Sequence, residues 1–179
     1  FSPFGMVLVG NDFYVANADA VLRFPYEKGQ TEITAPGTKL ADLPGGPINH
    51  HWTKSLVASP DGSKLYVGVG SNSNVAENGM EAEERRAAML EIDRATGESR
   101  VYASGLRNPV GFDWQPQTGV MYASNNGPDH LGYEQPPEYF SRLAAGSFHG
   151  MPWFQFDGKQ LRRDECVASA PPRPLAEVT

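Results

Sequence analysis

A single cysteine, Cys166, stands in the whole chain, which excludes an internal disulfide and a multi-thiolate zinc site and leaves a lone thiol. No apolar run approaches the roughly 20 residues of a membrane-spanning helix. No basic stretch followed by an apolar core opens the sequence, so no signal peptide is expected within it. Clustered positive charge is also missing. Fifteen Lys and Arg face 21 Asp and Glu, for a formal net charge of −6. Nucleic acid is therefore not an expected partner, because phosphate neutralisation needs grouped cations. What the chain does have is 19 Gly and 15 Pro among 179 residues, with 40% hydrophobic content. That is the composition of one globular domain rich in turns, long enough for a sizeable core.

Repetition organises the chain. "MVLVGNDFYVANA" (6–18), "LVASPDGSKLYVGVG" (56–70) and "VGFDWQPQTGVMYAS" (110–124) share one plan: an apolar strand, a Gly-containing turn, and a second apolar strand carrying a tyrosine. The tyrosines, Tyr14, Tyr66 and Tyr122, recur at intervals of 52 and 56 residues. A second hairpin follows the first two units, in "AVLRFPYEKGQTEIT" around Gly29 and "AMLEIDRATGESRVYA" around Gly97. Two hairpins per unit make a four-stranded antiparallel sheet, and a period near 50 predicts propeller blades. The expectation is an all-β chain of about three blades, at approximately 1–46, 47–106 and 107–179. A closed ring needs at least four blades, so the chain reads as an arc of a longer protein. Strand-poor connections are expected at 71–86 and 127–150. Open sheet edges would favour self-association.

Only "NGMEAEERRAAML" (78–90) reads as a helix, from its helix formers and Glu-to-Arg pairs, and its charges are expected to face solvent. The proline-rich tail from Val167 to Thr179 reads as an extended linker.

Chemistry concentrates in a few stretches. "PINHHWTKSLVASPDGS" puts His50, His51 and Trp52 ahead of a hairpin, which suits a metal site, an acid–base catalyst or ordinary packing. Adjacent residues on a strand point to opposite faces, which argues against both imidazoles chelating one zinc ion. In "GLRNPVG", Arg107 offers a planar cationic fork for carboxylates or quinone oxygens, with the Asn108 amide beside it. In "NNGPDHLG", the Gly127–Pro128 step exposes carbonyl oxygens suited to a hard cation. "GSFHGMPWFQF", with His149, reads as strand packing, and Met6, Met80 and Met121 read as core filler.

Taken together with "PFGMVLVGNDFYVANADAVLRFPY", "ASGLRNPVGFDW" and their order, these blocks resemble the glucose/sorbosone dehydrogenase family. These are soluble six-bladed β-propeller enzymes that use pyrroloquinoline quinone. The resemblance implies hydride transfer from a sugar or sugar aldehyde to a calcium-bound quinone, with His51 as general base. His50 falls where many relatives carry an acidic residue. Arg107 and Asn108 would contact the cofactor, with Asn72 and Asn74 as further polar contacts, and the carbonyls of Gly127 and Pro128 would bind calcium. It also implies a periplasmic or secreted setting, a small-molecule substrate and an unidentified electron acceptor. The competing readings are a calcium-dependent lactone hydrolase, which would need carboxylates converging on the metal, and a truncated or non-catalytic propeller module that binds a partner or carbohydrate.

Overall fold

The computed structural model describes residues 2–46 and 50–167. Three antiparallel sheets follow one another along the chain. The first has the order β1 (Gly5–Val9), β2 (Asp12–Ala16), β3 (Ala20–Pro25), β4 (Thr38–Asp42). The second is β5 (Leu56–Ala58), β6 (Lys64–Val69), β7 (Ala88–Asp93), β8 (Ser99–Ser104). The third pairs β9 (Pro109–Trp114), β10 (Met121–Asn125) and β11 (Tyr139–Leu143), and a separate hairpin joins β12 (Phe154–Phe156) to β13 (Leu161–Arg163). The first two sheets are four-stranded as predicted, whereas the third has three strands among the described residues.

Turn chemistry fixes the hairpins. Between β5 and β6 the Asp61 carboxylate accepts from the Ser59 hydroxyl (2.5 Å), the Ser63 amide (3.0 Å) and the Ser63 hydroxyl (2.9 Å), while Gly62 takes φ 70°. These bonds hold its pKa down to about 2, so the turn stays braced at any pH near neutral. Between β7 and β8, Asp93 caps the amides of Ala95 and Thr96 in the same manner.

Strand parity then builds the core. On β6, Leu65, Val67 and Val69 face the first sheet and join Tyr14, Val21, Leu43, Leu90 and Ile92 in one buried cluster. Tyr66, between them, faces the other way and packs with Met89, Leu106, Phe112 and Met121 against the third sheet. The middle sheet is thus buried on both faces, and each large side chain removed from water contributes roughly 1.5–3 kcal/mol. Such close stacking needs small residues at the crossings. A Cβ on Gly68 would meet the Pro109 carbonyl, and one on Gly97 would meet that of Leu40.

Four expectations need correction. The 78–90 segment is no α-helix: a single 3₁₀ turn, Met80–Glu83, precedes β7, which begins at Ala88. With no apolar face the segment cannot anchor a helix on the core, and it is held by buried polar bonds instead. Its charges are not all solvated, since Glu83 and Arg86 are buried. The partner of β3 is not the segment around Thr31–Thr34. It starts at Thr38, after Pro36, which lacks an N–H for the ladder. The 127–150 connection contains β11, which completes the third sheet. The tail read as a linker lies outside the described residues from Ala168 onward.

Gly68→Ala should lower stability by about 1–3 kcal/mol, because the added methyl meets backbone that cannot step aside. Denaturant unfolding would measure it, and a variant as stable as the parent would contradict the stacking described.

Candidate functional site

The site is assembled where β6 ends. The chain there runs Val69-Gly70-Ser71, and both backbone polar groups of Ser71 are engaged. Its N–H donates to the Arg107 carbonyl at 2.7 Å, and its carbonyl accepts from His51 Nδ1 at 2.8 Å. A carbonyl only accepts, so the proton sits on Nδ1 and the lone pair is on Nε2. Burial pushes the His51 pKa below the ordinary imidazole value, and the charges of Arg107, His50 and Arg86 push the same way against the Ser71 bond. The ring is therefore neutral and basic at Nε2 around pH 7.

Gly70 lets two candidate residues meet. A Cβ there would collide with the His51 Cβ and lie 2.6 Å from Asn108 Oδ1, so both side chains flank the bare glycine. Asn108 is seated by its own N–H, which donates to Asn125 Oδ1 at 3.0 Å. His51 itself holds φ 45°, a left-handed conformation that is rare without glycine. The two histidines are not on a strand, because β5 begins only at Leu56. They differ in role nonetheless: His50 is exposed, and its carbonyl accepts from Arg86 Nη2 at 2.7 Å. Trp52 packs edge-on against Phe4 (6.1 Å between ring centres), and both rings are partly open to solvent.

Arg107 is the second knot. Only 5% exposed, it donates from Nε to the Asn74 carbonyl (2.9 Å), from Nη1 to the Gly127 carbonyl (2.6 Å), and from Nη2 to Asn74 Oδ1 (2.8 Å) and Asp129 Oδ2 (3.2 Å). The structure thus brings His51, Arg107, Asn74 and Gly127 into one group bonded through Ser71, with Asn108 flanking Gly70 beside His51. Pro128 is buried next to Gly127 in the same loop. Asn74 serves as a tie between loops, with Oδ1 also accepting from the Asp129 N–H at 3.0 Å and Nδ2 facing His130 Nδ1 at 3.3 Å. Since Nδ2 donates there, His130 carries its proton on Nε2, directed at the buried Asp164 carboxylate. Cys166 lies beside that pair. Asn72 differs from the others. It is 7% exposed, and its side-chain Oδ1 has no protein partner.

His149 is bonded elsewhere, its N–H donating to the Ser104 carbonyl at 2.8 Å. Its Nε2 meets the Ser147 hydroxyl at 2.9 Å, and burial pushes its pKa down to about 4. Phe148, Trp153 and Phe154 around it form a packed cluster.

The model of the TrAA12-like family matches residues 4–137. The chain belongs to the TrAA12-like family. It resembles an uncharacterised protein of Borreliella burgdorferi, 27% identical over 160 residues, covering 84% of this chain and 41% of that one. Among solved structures it is similar to the Carbohydrate-Active Enzymes Family AA12 protein of Trichoderma reesei, with TM-score 0.79 and 16% identity over 93% of this chain and 51% of that one. It is also similar to the holo pyranose dehydrogenase PQQ domain of Coprinopsis cinerea, with TM-score 0.72 and 19% identity over 84% and 43%. A putative oxidoreductase (glucose dehydrogenase) of Thermus thermophilus gives TM-score 0.60 and 22% identity over 83% and 50%. At these identities the solved structures show the fold, a β-propeller arrangement of four-stranded antiparallel blades. The TrAA12-like chain spans about half the length of these relatives or less.

Several residues of this candidate site carry no sequence signal of their own. Arg86 donates to the carbonyls of Gly70 (3.2 Å), Pro44 (2.6 Å) and His50. Glu83 accepts from the loop at 71–73. A helix-like composition without an apolar face was the available hint that these charges had another use. Lys54 is 0% exposed and donates to the carbonyls of Trp52 (3.0 Å) and His51 (3.4 Å). Burial first, and Arg86 second, bring its pKa down to about 8.

That shift has a sign. Above about pH 8 the folded chain releases a proton that unfolded Lys54 still holds up to about 10.5, so stability rises with pH across that window. Unfolding midpoints measured from pH 7 to 10 should show the rise, and Lys54→Met should flatten it. An equal slope in the variant would exclude Lys54 as its source.

Proposed function

We propose that this chain carries part of the active site of a pyrroloquinoline quinone-dependent oxidoreductase that oxidises a sugar or sugar aldehyde of the glucose/sorbosone type, with His51 as general base and calcium as second cofactor. A secreted or periplasmic setting goes with this reading. The observation that carries it is the neutral His51, its lone pair on Nε2, standing over Gly70 beside Asn108 and next to Asn72, whose buried Oδ1 lacks a partner. An unpaired buried acceptor costs about 1–3 kcal/mol, which a bound donor or hard cation would offset. The Asn72 acceptor suits a hard cation or an N–H, while the Arg107 guanidinium and the Asn108 amide suit the oxygens of a quinone.

When bound, the quinone supplies a hydride acceptor and calcium supplies Lewis acidity. His51 Nε2 would take the hydroxyl proton of the substrate as hydride leaves the same carbon. The proton on Nδ1 stays fixed on Ser71 throughout, so the ring can gain a proton without rotating. Asn108 and Asn72 would orient the cofactor through neutral amides.

Arg107 adds a condition. Its donors are directed at protein oxygens, and one of these, the Asp129 carboxylate, sits on a side chain 88% exposed. A cofactor carboxylate would exchange most readily with that partner. The Gly127 carbonyl is already on Arg107, so a calcium ion there would share it with a guanidinium. A tricarboxylate that drew Arg107 outward would ease that repulsion. The lactone-hydrolase reading finds less support, since the two carboxylates beside the Gly127–Pro128 step are engaged by protein donors, Glu138 by the Gly127 N–H (3.0 Å) and Asp129 by Arg107 (3.2 Å).

Two sets of measurements on the full-length protein test this. His51→Ala should lower turnover roughly 100- to 10,000-fold with little change in quinone affinity, while His50→Ala should have a much smaller effect. The acid limb of the rate profile should fall below pH 6.5, the ordinary imidazole value, because the base is held neutral. Equal losses at both histidines would remove His51 from the role.

In titrations followed by quinone absorbance, Asp129→Asn should bind quinone at least as tightly as the parent, since a competitor for Arg107 is gone. Arg107→Ala should lose affinity at least tenfold. Calcium should bind more tightly with quinone present than without. Independent binding of the two would contradict the shared Arg107–Gly127 contact.

A further inference from the structure

We infer that Glu83 is a positioning residue that sets the tautomer of His51 and the orientation of Asn72. This rests on the reading of His51 as base. Glu83 belongs to the single 3₁₀ turn of the insertion and is 7% exposed. Its carboxylate accepts from the Ser71 hydroxyl (2.8 Å), the Asn72 N–H (2.9 Å) and the Ser73 hydroxyl (2.6 Å). Buried carboxylates are retained only where such bonds replace lost hydration. Every donor here comes from one three-residue loop, the loop that carries the Ser71 carbonyl.

The same loop is held from other directions. Arg86 takes the Gly70 carbonyl, the Arg107 carbonyl takes the Ser71 N–H, and Asn78 Nδ2 donates to the Asn72 carbonyl at 2.9 Å. With these groups engaged, the Ser71 carbonyl is directed at His51 Nδ1, and Asn72 Oδ1 is fixed without a partner. Glu83 contacts neither imidazole nor any reacting atom. It acts by making the loop adopt one conformation, and a loop free to turn its 71–72 peptide would offer Nδ1 an N–H instead of a carbonyl. That would place the imidazole proton on Nε2 and remove the base.

Glu83→Gln tests this with nearly the same shape, because an amide nitrogen then confronts donors that the carboxylate accepted. The readout is the nitrogen-15 spectrum of the His51 imidazole in the full-length protein without cofactor, which reports the tautomer directly. The parent should show the proton on Nδ1. The variant should show a mixture with Nε2, and turnover should fall roughly tenfold or more with a smaller change in KM. A parent-like tautomer in a folded but less stable variant would overturn the proposal and leave Glu83 a structural residue. A shifted tautomer with unchanged turnover would uphold the positioning and overturn His51 as base. Should Glu83→Gln fail to fold, Ser73→Ala removes one of the same bonds and should shift the tautomer in the same direction; no shift there would count against the proposal.

Discussion

One residue holds the site together. The Ser71 N–H, in the 70–71 peptide, donates to the Arg107 carbonyl, and the Ser71 carbonyl, in the 71–72 peptide, accepts from His51. A base from one connection and a cationic residue from another are thus referenced to the same residue. Neither contact is strong alone, since a net hydrogen bond is worth about 0.5–1.5 kcal/mol. Their value is geometric. The two peptide planes meet at the Ser71 Cα and each is pinned at its far end, the first by Arg86 on the Gly70 carbonyl and the second by Glu83 on the Asn72 N–H. The tautomer of the ring therefore depends on these connections being properly docked.

That docking comes from the middle sheet, which is buried on both faces. Ser55 of the loop before β5 donates to the Val110 carbonyl on β9, so the connection bearing His51 is tied directly to the third sheet. Glycines set the closeness of approach. At Gly68 the strand can lie against Pro109, and at Gly70 the side chains of His51 and Asn108 can share the space a Cβ would fill. A core formed by nonspecific apolar contact would hold the sheets together; these glycines fix the distance at which they stop, and the site needs that distance.

Much of this was legible in the sequence because it is local. The "SPDG" turn, the alternation of Leu65, Val67 and Val69 with Tyr66, and the 52-residue interval all act within one hairpin or one repeat. His51, Arg107, Asn108 and Gly127 were named from motifs, and the structure draws them into one network. Glu83, Arg86 and Lys54 were not legible. Their partners are backbone carbonyls and amides distant in sequence, which leave no residue pattern to read. The reading of 78–90 failed because its propensities favour a helix, yet it has no apolar stripe to bury, and Arg85 and Ala87 take positive φ, which no right-handed helix allows. The position of β4 failed for another reason, since Pro36 and the close packing of Gly37 on Phe24 delay the strand past the point where composition would start it.

The charge distribution at the site completes the argument. Arg86, Arg107 and Lys54 are buried near His51, and Glu83 is the one buried carboxylate bonded into the 71–73 loop. The cations are stabilised largely through neutral carbonyls, which solvate a positive charge without cancelling it. The local field is consequently positive inside a chain whose overall charge is −6. Such a field disfavours imidazolium, which keeps His51 able to accept a proton, and it favours an anion close by. An anion there would offset the cations as it binds, while burial, the largest cause, continues to hold the base neutral. Base and anion are thereby coupled only through the smaller part of the shift: an anion in the site raises the proton affinity of His51 somewhat, and burial still keeps it below the ordinary imidazole value.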